Sequence, residues 1–535
     1  MAQTKTQKLL PRAKTPEEVG VSSSELVEFL RDMEENGLEF HSFMIIRHGK
    51  VAAECYRAPF NAETPHTMYS VSKTFSATAV GFAVHEGIFS LDTRVIDVFP
   101  EYAPKKPCER LQKLTVRHLV TMTSGKNPSL LADKGKIDWI EDYINCPWYG
   151  DPGEYRYVNE NVYMLCAIIS RLTGQSVREF LTPRLFEPLG IDVPFWETDK
   201  NGVEAGGWGS YFKTEDLAKV MLCYHQDGKF NGKQVIPEQW AKEAHTALSD
   251  NSFCNDLDAQ FGYGYCIWRN GGCRESYRAD GMFSQFGIVF EDYDAVFTST
   301  GAIPVEQIAR DCVWRHFPKA FIDADEGKDT AVSNLKEILS SSPIDVPVIS
   351  SHSPREVQLE GKTIKMRKKL LLNLIGFPLS VLPLGVTYMT MDKAGNIDDI
   401  SFSFGENECS MFWTEGDESN TVICGMDGHQ RYGTMRLGQI DYSVCCTAEW
   451  KDDDTLYVQI RPVTTVAKRM LTFKFNATNK VTMIPSSTPA VSDIAEFLGV
   501  NAGDLISNKF VVKLVKKVLK VVPSILEPKH KGRIV

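Results

Sequence analysis

From Ser70 to His85 the chain is rich in Ala, Val, Phe and Thr, contains no proline and stops at Glu86-Gly87. A run of this kind, closed by glycine, predicts a buried helix with Ser70 at its N-terminal end. Strands frame it. His41 to Arg47 and Val51 to Tyr56 are apolar, β-rich runs around the turn His48-Gly49-Lys50 and predict a hairpin; strand-like runs return at Tyr263 to Trp268, Phe283 to Phe290 and Ala295 to Ser299. Between them lie helical patterns at Val116 to Met122, Asn161 to Leu172, Ser176 to Leu181 and Thr214 to His225. Upstream, Thr15-Pro16-Glu17-Glu18 reads as a helix start, with Leu26, Phe29, Leu30 and Met33 following at helical spacing. The pattern predicts an α+β layer with a helical region inserted between early and late strands of one sheet.

At 535 residues the chain exceeds what one hydrophobic core normally organises, so two domains are expected. Residues 15–323 carry the pattern above. Residues 324–356 turn to Asp, Glu, Ser and Pro, with Ser340-Ser341-Ser342-Pro343 and Ser350-Ser351-His352-Ser353-Pro354, and read as a linker. Over 357–490, short runs such as Ile400 to Phe404, Thr421 to Met426, Tyr442 to Thr447, Thr455 to Ile460 and Leu471 to Phe475 predict a small antiparallel β-domain or barrel. Leu370 to Val386 is apolar but interrupted by Asn373, Pro378 and Pro383, which reads as a buried strand and turn and not as a membrane span.

Residues 491–535 read as a helical basic tail, where Lys509 to Val522 alternates lysines with Val and Leu at helical spacing. An amphipathic helix packed on its own protein is favoured over contact with an anionic membrane, since no aromatic anchor accompanies it. A net charge of −10 argues against nucleic acid as a partner, because phosphate binding needs clustered positive charge. The thirteen cysteines contain no C-x-x-C pair, so no metal framework is expected, and a reducing compartment fits better than an oxidising one. The polar N-terminus shows no apolar signal segment, which points to the cytoplasm.

Chemistry concentrates at Ser70-Val71-Ser72-Lys73. A serine hydroxyl is a poor nucleophile until a neighbour removes its proton, and a lysine three residues later on a helix lies on the same face. That lysine must be neutral to act, which burial in an apolar crevice promotes. The S-x-x-K spacing also occurs at Ser210 to Lys213 and Ser333 to Lys336, but Ser210 sits in a Gly-rich turn and Ser333 in the polar connecting region. Only Ser70 precedes a long apolar helix.

A second polar element, Tyr157-Val158-Asn159, follows the turn Asp151-Pro152-Gly153 and precedes another apolar helix. Tyr157 would relay protons with Lys73, and Asn159 would hold the lysine or the substrate. One decoy, Tyr143-Ile144-Asn145, is discounted because it runs straight into Cys146-Pro147; Ser249-Asp250-Asn251, in a polar loop, is the lesser alternative for this second element. The third element should be a strand offering a backbone N–H to a developing oxyanion. Tyr277 to Gln285 fits, with Gly281 letting substrate approach, Gln285 beside it, and the N–H groups of Ser70 and Met282 forming the hole. His118 reads as a structural hydrogen-bonding residue. Trp148, Tyr149, Trp208, Tyr211 and Phe283 are divided between acyl-pocket and core readings.

Four blocks of the chain resemble the β-lactamase-related serine hydrolases, which include class C β-lactamases, esterases, D-aminopeptidases and 6-aminohexanoate-dimer hydrolases. They are Met68 to Lys73; Leu114 to Gly125; Tyr157-Val158-Asn159 running on to Leu172-Thr173-Gly174 and Phe186 to Gly190; and Ala205-Gly206-Gly207 with Asp216-Leu217-Ala218. The resemblance implies an α/β fold, a central antiparallel sheet flanked by helices with an all-helical subdomain. Ala279-Asp280-Gly281 and Gln285 look most like the 6-aminohexanoate-dimer hydrolase branch. Ala279 stands where the β-lactamases and transpeptidases place a Lys or His that holds the β-lactam carboxylate, and Arg278 replaces that cation only if it faces the cleft. The expectation is therefore cofactor-free ester or amide hydrolysis of a small molecule or short peptide. Its rivals are an acyltransferase using the same acyl-enzyme and a non-catalytic binding or sensor protein.

Overall fold

The computed structural model describes residues 9–128, 137–271, 276–323, 332–367, 397–416, 418–437, 440–490, 492 and 528–535. The chain divides into two compact units, Met1–Ser342 and Pro343–Val535.

In the first unit, strands β1 (Phe40–Arg47), β2 (Lys50–Tyr56), β3 (Trp268–Arg269), β4 (Ser276–Gly281), β5 (Gln285–Phe290) and β6 (Ala295–Gly301) form one antiparallel sheet. Its order is β2-β1-β6-β5-β4-β3. Early and late strands thus meet at the β1–β6 ladder, where Ile45 faces Phe297. Alternation along β5 separates two faces. Phe286, Ile288 and Phe290 enter a core with Phe29 of α1 (Ser23–Glu35) and Val313 and Phe317, in and after the C-terminal helix Glu306–His316. Gly287 lies on the other face, so close to the helix Thr214–His225 that a Cβ would stand 2.7 Å from Met221 Cγ. The turn Tyr69–Val71 packs on β4 and β5 and opens the helix Ser72–His85, called α2, against which α3 (Asn159–Thr173), the longest of the inserted helices, is packed. This is the expected α/β (α+β) fold of the β-lactamase/transpeptidase kind. Among the described residues no helix is long and apolar enough to cross a membrane.

Two local expectations shift. The first helix begins at Ser23, capped by Ser22 Oγ, and not at Thr15. Pro16–Val19 is a separate 3-10 turn, because Gly20 at φ +69° ends it and Val21 bridges to Phe321. The strand expected over Tyr263 to Trp268 shrinks to Trp268–Arg269, since Cys266 adopts φ +56° and breaks the extended run.

The second unit is a ten-stranded, barrel-like sheet whose neighbours are all antiparallel, with a parallel bridge from Gly425 to Thr447 joining its end regions. Leu456, Val458, Ile460, Leu471 and Phe473 alternate inward along two of its strands. The region read as linker is substantially folded over 332–356. Leu335 and Leu339 lie on one stripe of the helix Leu335–Ser340 and enter the first unit's core. Asp345 is paired with Arg461 and, at 2.8 Å, with Lys468 in the second unit. The expected basic helix, Lys509 to Val522, and the apolar stretch Leu370 to Val386 lie outside the described residues. The chain's end is not helical: His530–Ile534 is a strand between Thr363–Met366 and Lys480–Thr488.

Candidate active site

Ser70 sits in a 3-10 turn, Tyr69–Val71, that leads directly into α2. Tyr69 holds φ +43°, a left-handed conformation uncommon for a bulky residue. The turn's hydrogen bonds run from Val71 N to Met68 O and from Ser72 N to Tyr69 O and Ser70 O, so the Ser70 N–H takes no part in them. The decoy Ser210 proves to be a brace for this turn. Its hydroxyl lies 2.6 Å from Ser72 Oγ and its carbonyl accepts from Met68 N at 2.9 Å.

At the second position of α2, one turn after Ser70, Lys73 donates to Ser70 Oγ at 2.8 Å and to Gly207 O at 2.6 Å. The lysine is 1% exposed, and burial lowers its pKa to about 7. The second acceptor was missed from sequence, although its cause was visible in the pair Gly206-Gly207. A Cβ on Gly206 would lie 2.3 Å from Cys166 Sγ and 2.8 Å from Ser76 Oγ, so only glycine lets this segment pass between α2 and α3. The other decoy, Ser333 and Lys336, is exposed at both positions.

Tyr157 lies just before α3. Its ring is 4.7 Å from Lys73 Nζ and stacks on Trp268 at 5.5 Å. Burial drives its pKa upward against a smaller downward pull from the Ser70 hydroxyl. Lysine and tyrosine are thus pushed apart: near neutrality the amine can be free base while the phenol keeps its proton. Asn159 is exposed at the first position of α3; of the two partners expected for it, lysine or substrate, the lysine is held by the Gly207 carbonyl. Tyr143 instead bonds Asn161 at 2.6 Å within the core. Ser249 and Asn251 brace their own loop by way of Thr121 O and Gly262 N. His118 accepts from Thr115 N at 3.1 Å as part of a capping box.

The β4–β5 hairpin closes the site. Gly281 pairs with Gln285, leaving Met282, Phe283 and Ser284 as its turn. Phe283 and Ser284 hold φ +64° and +74°, and the Phe283 ring contacts Tyr69 at 5.4 Å, so two strained turns face each other across Ser70. Gln285, expected to bind substrate, instead braces this turn through its side-chain amide. It is fully buried, and Nε2 donates to Met282 O, Phe283 O and Gly301 O at 3.0, 3.1 and 2.8 Å. Glu306, which no local pattern announces, accepts from Phe283 N at 3.1 Å; burial raises its pKa to about 8. Arg278 is 1% exposed and spent on Asp280, Asn270 and the Asp258 carbonyl, so it offers no cation to the cleft.

A methyl group at Gly281 would stand 2.3 Å from Met68 O and 3.2 Å from Val71 N. Both are backbone atoms of the nucleophile turn and cannot rotate away. Gly281→Ala is therefore expected to separate strand and turn and to lower kcat/KM about a hundredfold, the scale of an ångström misplacement. Ester hydrolysis by variant protein with unchanged far-UV circular dichroism measures it; a fall below threefold would show that the contact is not needed.

The family model described as Beta-lactamase matches residues 30–300, just over half of the chain. The chain belongs to this family, one of β-lactamase-related serine hydrolases. It is 26% identical over 279 residues to the 6-aminohexanoate-dimer hydrolase of Paenarthrobacter ureafaciens, a match covering 45% of this chain and 67% of that one. It is 24% identical over 232 residues to the acyltransferase mokF of Monascus pilosus, covering 37% and 56%. Among solved structures it is similar to a penicillin-binding protein homologue from Caulobacter crescentus, with 16% identity, a TM-score of 0.46 and coverage of 61% of this chain and all of that one.

Proposed function

We propose that the protein cleaves an ester or amide bond of a small molecule or short peptide through an acyl-enzyme on Ser70. The observation that carries this is the 2.8 Å contact between Ser70 Oγ and a buried Lys73 whose pKa lies at about 7. Ser70 Oγ attacks the carbonyl carbon as its proton passes to Lys73 Nζ. The oxyanion is received by the N–H groups of Ser70 and Met282. When the tetrahedral adduct collapses, the bond to the leaving group breaks and Tyr157, still a phenol, passes it a proton that Lys73 replaces. Water then attacks the acyl-enzyme as Lys73 takes its proton; collapse of this second adduct breaks the bond from the acyl carbon to Ser70 Oγ, which recovers a proton from Lys73 as the acid leaves. Asn159, exposed at the start of α3, is available to substrate. Ala279 and the committed Arg278 leave no counter-ion for a β-lactam carboxylate at this strand, which favours neutral esters and amides. Free thiols at every described cysteine support a reducing, cytoplasmic setting.

Resolution of the same acyl-enzyme by an alcohol or amine is the second reading, favoured by the similarity to an acyltransferase. Incubation with a p-nitrophenyl ester, quenched in acid and examined by mass spectrometry, is expected to show one acyl group on the peptide containing Ser70. Added alcohols or amines then reveal whether transfer competes with hydrolysis. An acyl group on another residue, or none under turnover, would overturn the proposal.

A further inference from the structure

On the face of the sheet opposite Ser70, α1 and the helix Glu306–His316 bring three metal-ligating side chains together. Cys312 and His316 are one helical turn apart, and Asp32 faces them from α1. His316 Nε2 is 3.0 Å from Asp32 Oδ2, Cys312 Sγ is 3.4 Å from the same oxygen, and all three donor atoms lie within 4.8 Å of one another. In a tetrahedral zinc site, bonds of about 2.0 Å to nitrogen or oxygen and about 2.3 Å to sulfur separate neighbouring donors by about 3.3–3.5 Å. The two separations from Asp32 Oδ2 are therefore already near the spacing such an ion requires, and the third pair lies within 4.8 Å.

A second observation comes from Glu25. Its Oε1 lies 2.7 Å from His316 Nδ1, while Oε2 is paired with Lys319 at 2.8 Å. A carboxylate on the far nitrogen of an imidazole fixes the ring and its tautomer, so that Nε2 is presented to an ion, and metal-bound histidines are usually held this way. Phe29 packs against the same ring, with centroids 5.6 Å apart. Asp32 Oδ2 also receives Nε and Nη2 of Arg315, both at 2.8 Å. That arginine side chain is 49% exposed, so it can swing into water and yield its place to a cation at small cost.

We propose that Asp32, Cys312 and His316 bind a zinc-type divalent ion, with Glu25 orienting His316 and water completing the tetrahedron. Thiolate, imidazole and carboxylate together favour such an ion over calcium or magnesium, which take oxygen ligands. Binding releases the Cys312 proton and any proton on His316 Nε2, and ties α1 to the helix after β6. The site lies apart from Ser70, so it stands or falls independently of the proposed hydrolysis.

Cobalt(II) is the probe. Full-length protein, reduced and freed of metal with a chelator, is expected to bind one equivalent, with a near-ultraviolet thiolate-to-cobalt band and visible bands of tetrahedral cobalt, and to release it to zinc. Cys312→Ser is expected to abolish the near-ultraviolet band, Glu25→Gln to weaken binding ten- to a hundredfold, and Cys424→Ser to change neither. Absence of the band in wild-type protein, or its persistence in Cys312→Ser, would overturn the site. Should Cys312→Ser fail to fold, His316→Gln decides: zinc should raise the thermal midpoint of wild-type protein by several degrees and leave this variant unmoved, and equal shifts in both refute the proposal.

Discussion

Ser70→Ala protein is expected to lose ester turnover by on the order of 10^4-fold or more, since removing a nucleophile from a unit of cooperating groups removes nearly everything the unit does. It should also fail to label with a fluorophosphonate. The substitution is small, and the turn's bonds from Val71 N and Ser72 N to backbone carbonyls do not involve the hydroxyl, so folding should be unaffected. Wild-type and variant protein compared in p-nitrophenyl ester hydrolysis, with circular dichroism as control, give the measurement. Retained turnover and labelling would move the nucleophile elsewhere, and Ser210, bonded to Ser72 and without a lysine partner, offers no replacement.

Lys73→Met is expected to lower kcat by roughly 10^2–10^4-fold, the usual contribution of a general base. The pH profile identifies the role. Burial depresses the lysine's pKa to about 7, and the base works only in its neutral form. Wild-type kcat/KM should therefore be low in acid and rise through pH 7 to a plateau. A protonated lysine performing only electrostatic work would give the opposite slope, with activity falling as pH rises through the same value. Methionine fills much of the lysine's buried volume, so the variant separates loss of the amine from loss of packing. It should also lose the ascending limb near pH 7.

The parts of this site legible in sequence are those set by local spacing. Ser70 and Lys73 share a helix face because they are three residues apart, and the apolar run after them predicts the burial that depresses the lysine. Tyr157 was separable from Tyr143 because Cys146-Pro147 follows the latter immediately; the structure places Tyr143 in the core against Asn161. At Asn159 and Gln285 the local pattern does not say which segment lies beside the side chain. A side chain's partner depends on what another segment places beside it. The Gly207 carbonyl accepts from Lys73, one of the two partners expected for Asn159, and the paired strand turns Gln285 inward to hold the Met282 carbonyl.

By itself, the sequence determined the helix–strand order, the antiparallel sheet interrupted by helices, the β-rich second unit and the Ser70–Lys73 pair. The helix–strand order, the helices inserted between strands and the β-rich second unit follow from periodicities of two or about 3.6 residues and from turn residues acting on their neighbours. The antiparallel central sheet as a whole and the choice of Ser70 among three S-x-x-K spacings rest also on the family resemblance. Tertiary structure alone decided that Glu306 holds the Phe283 N–H, that Arg278 is committed to Asn270 and the Asp258 carbonyl, and that Asp32 meets Cys312 and His316. These contacts join residues on different elements, and a register or a helix packing, which no local pattern encodes, fixes which side chains meet.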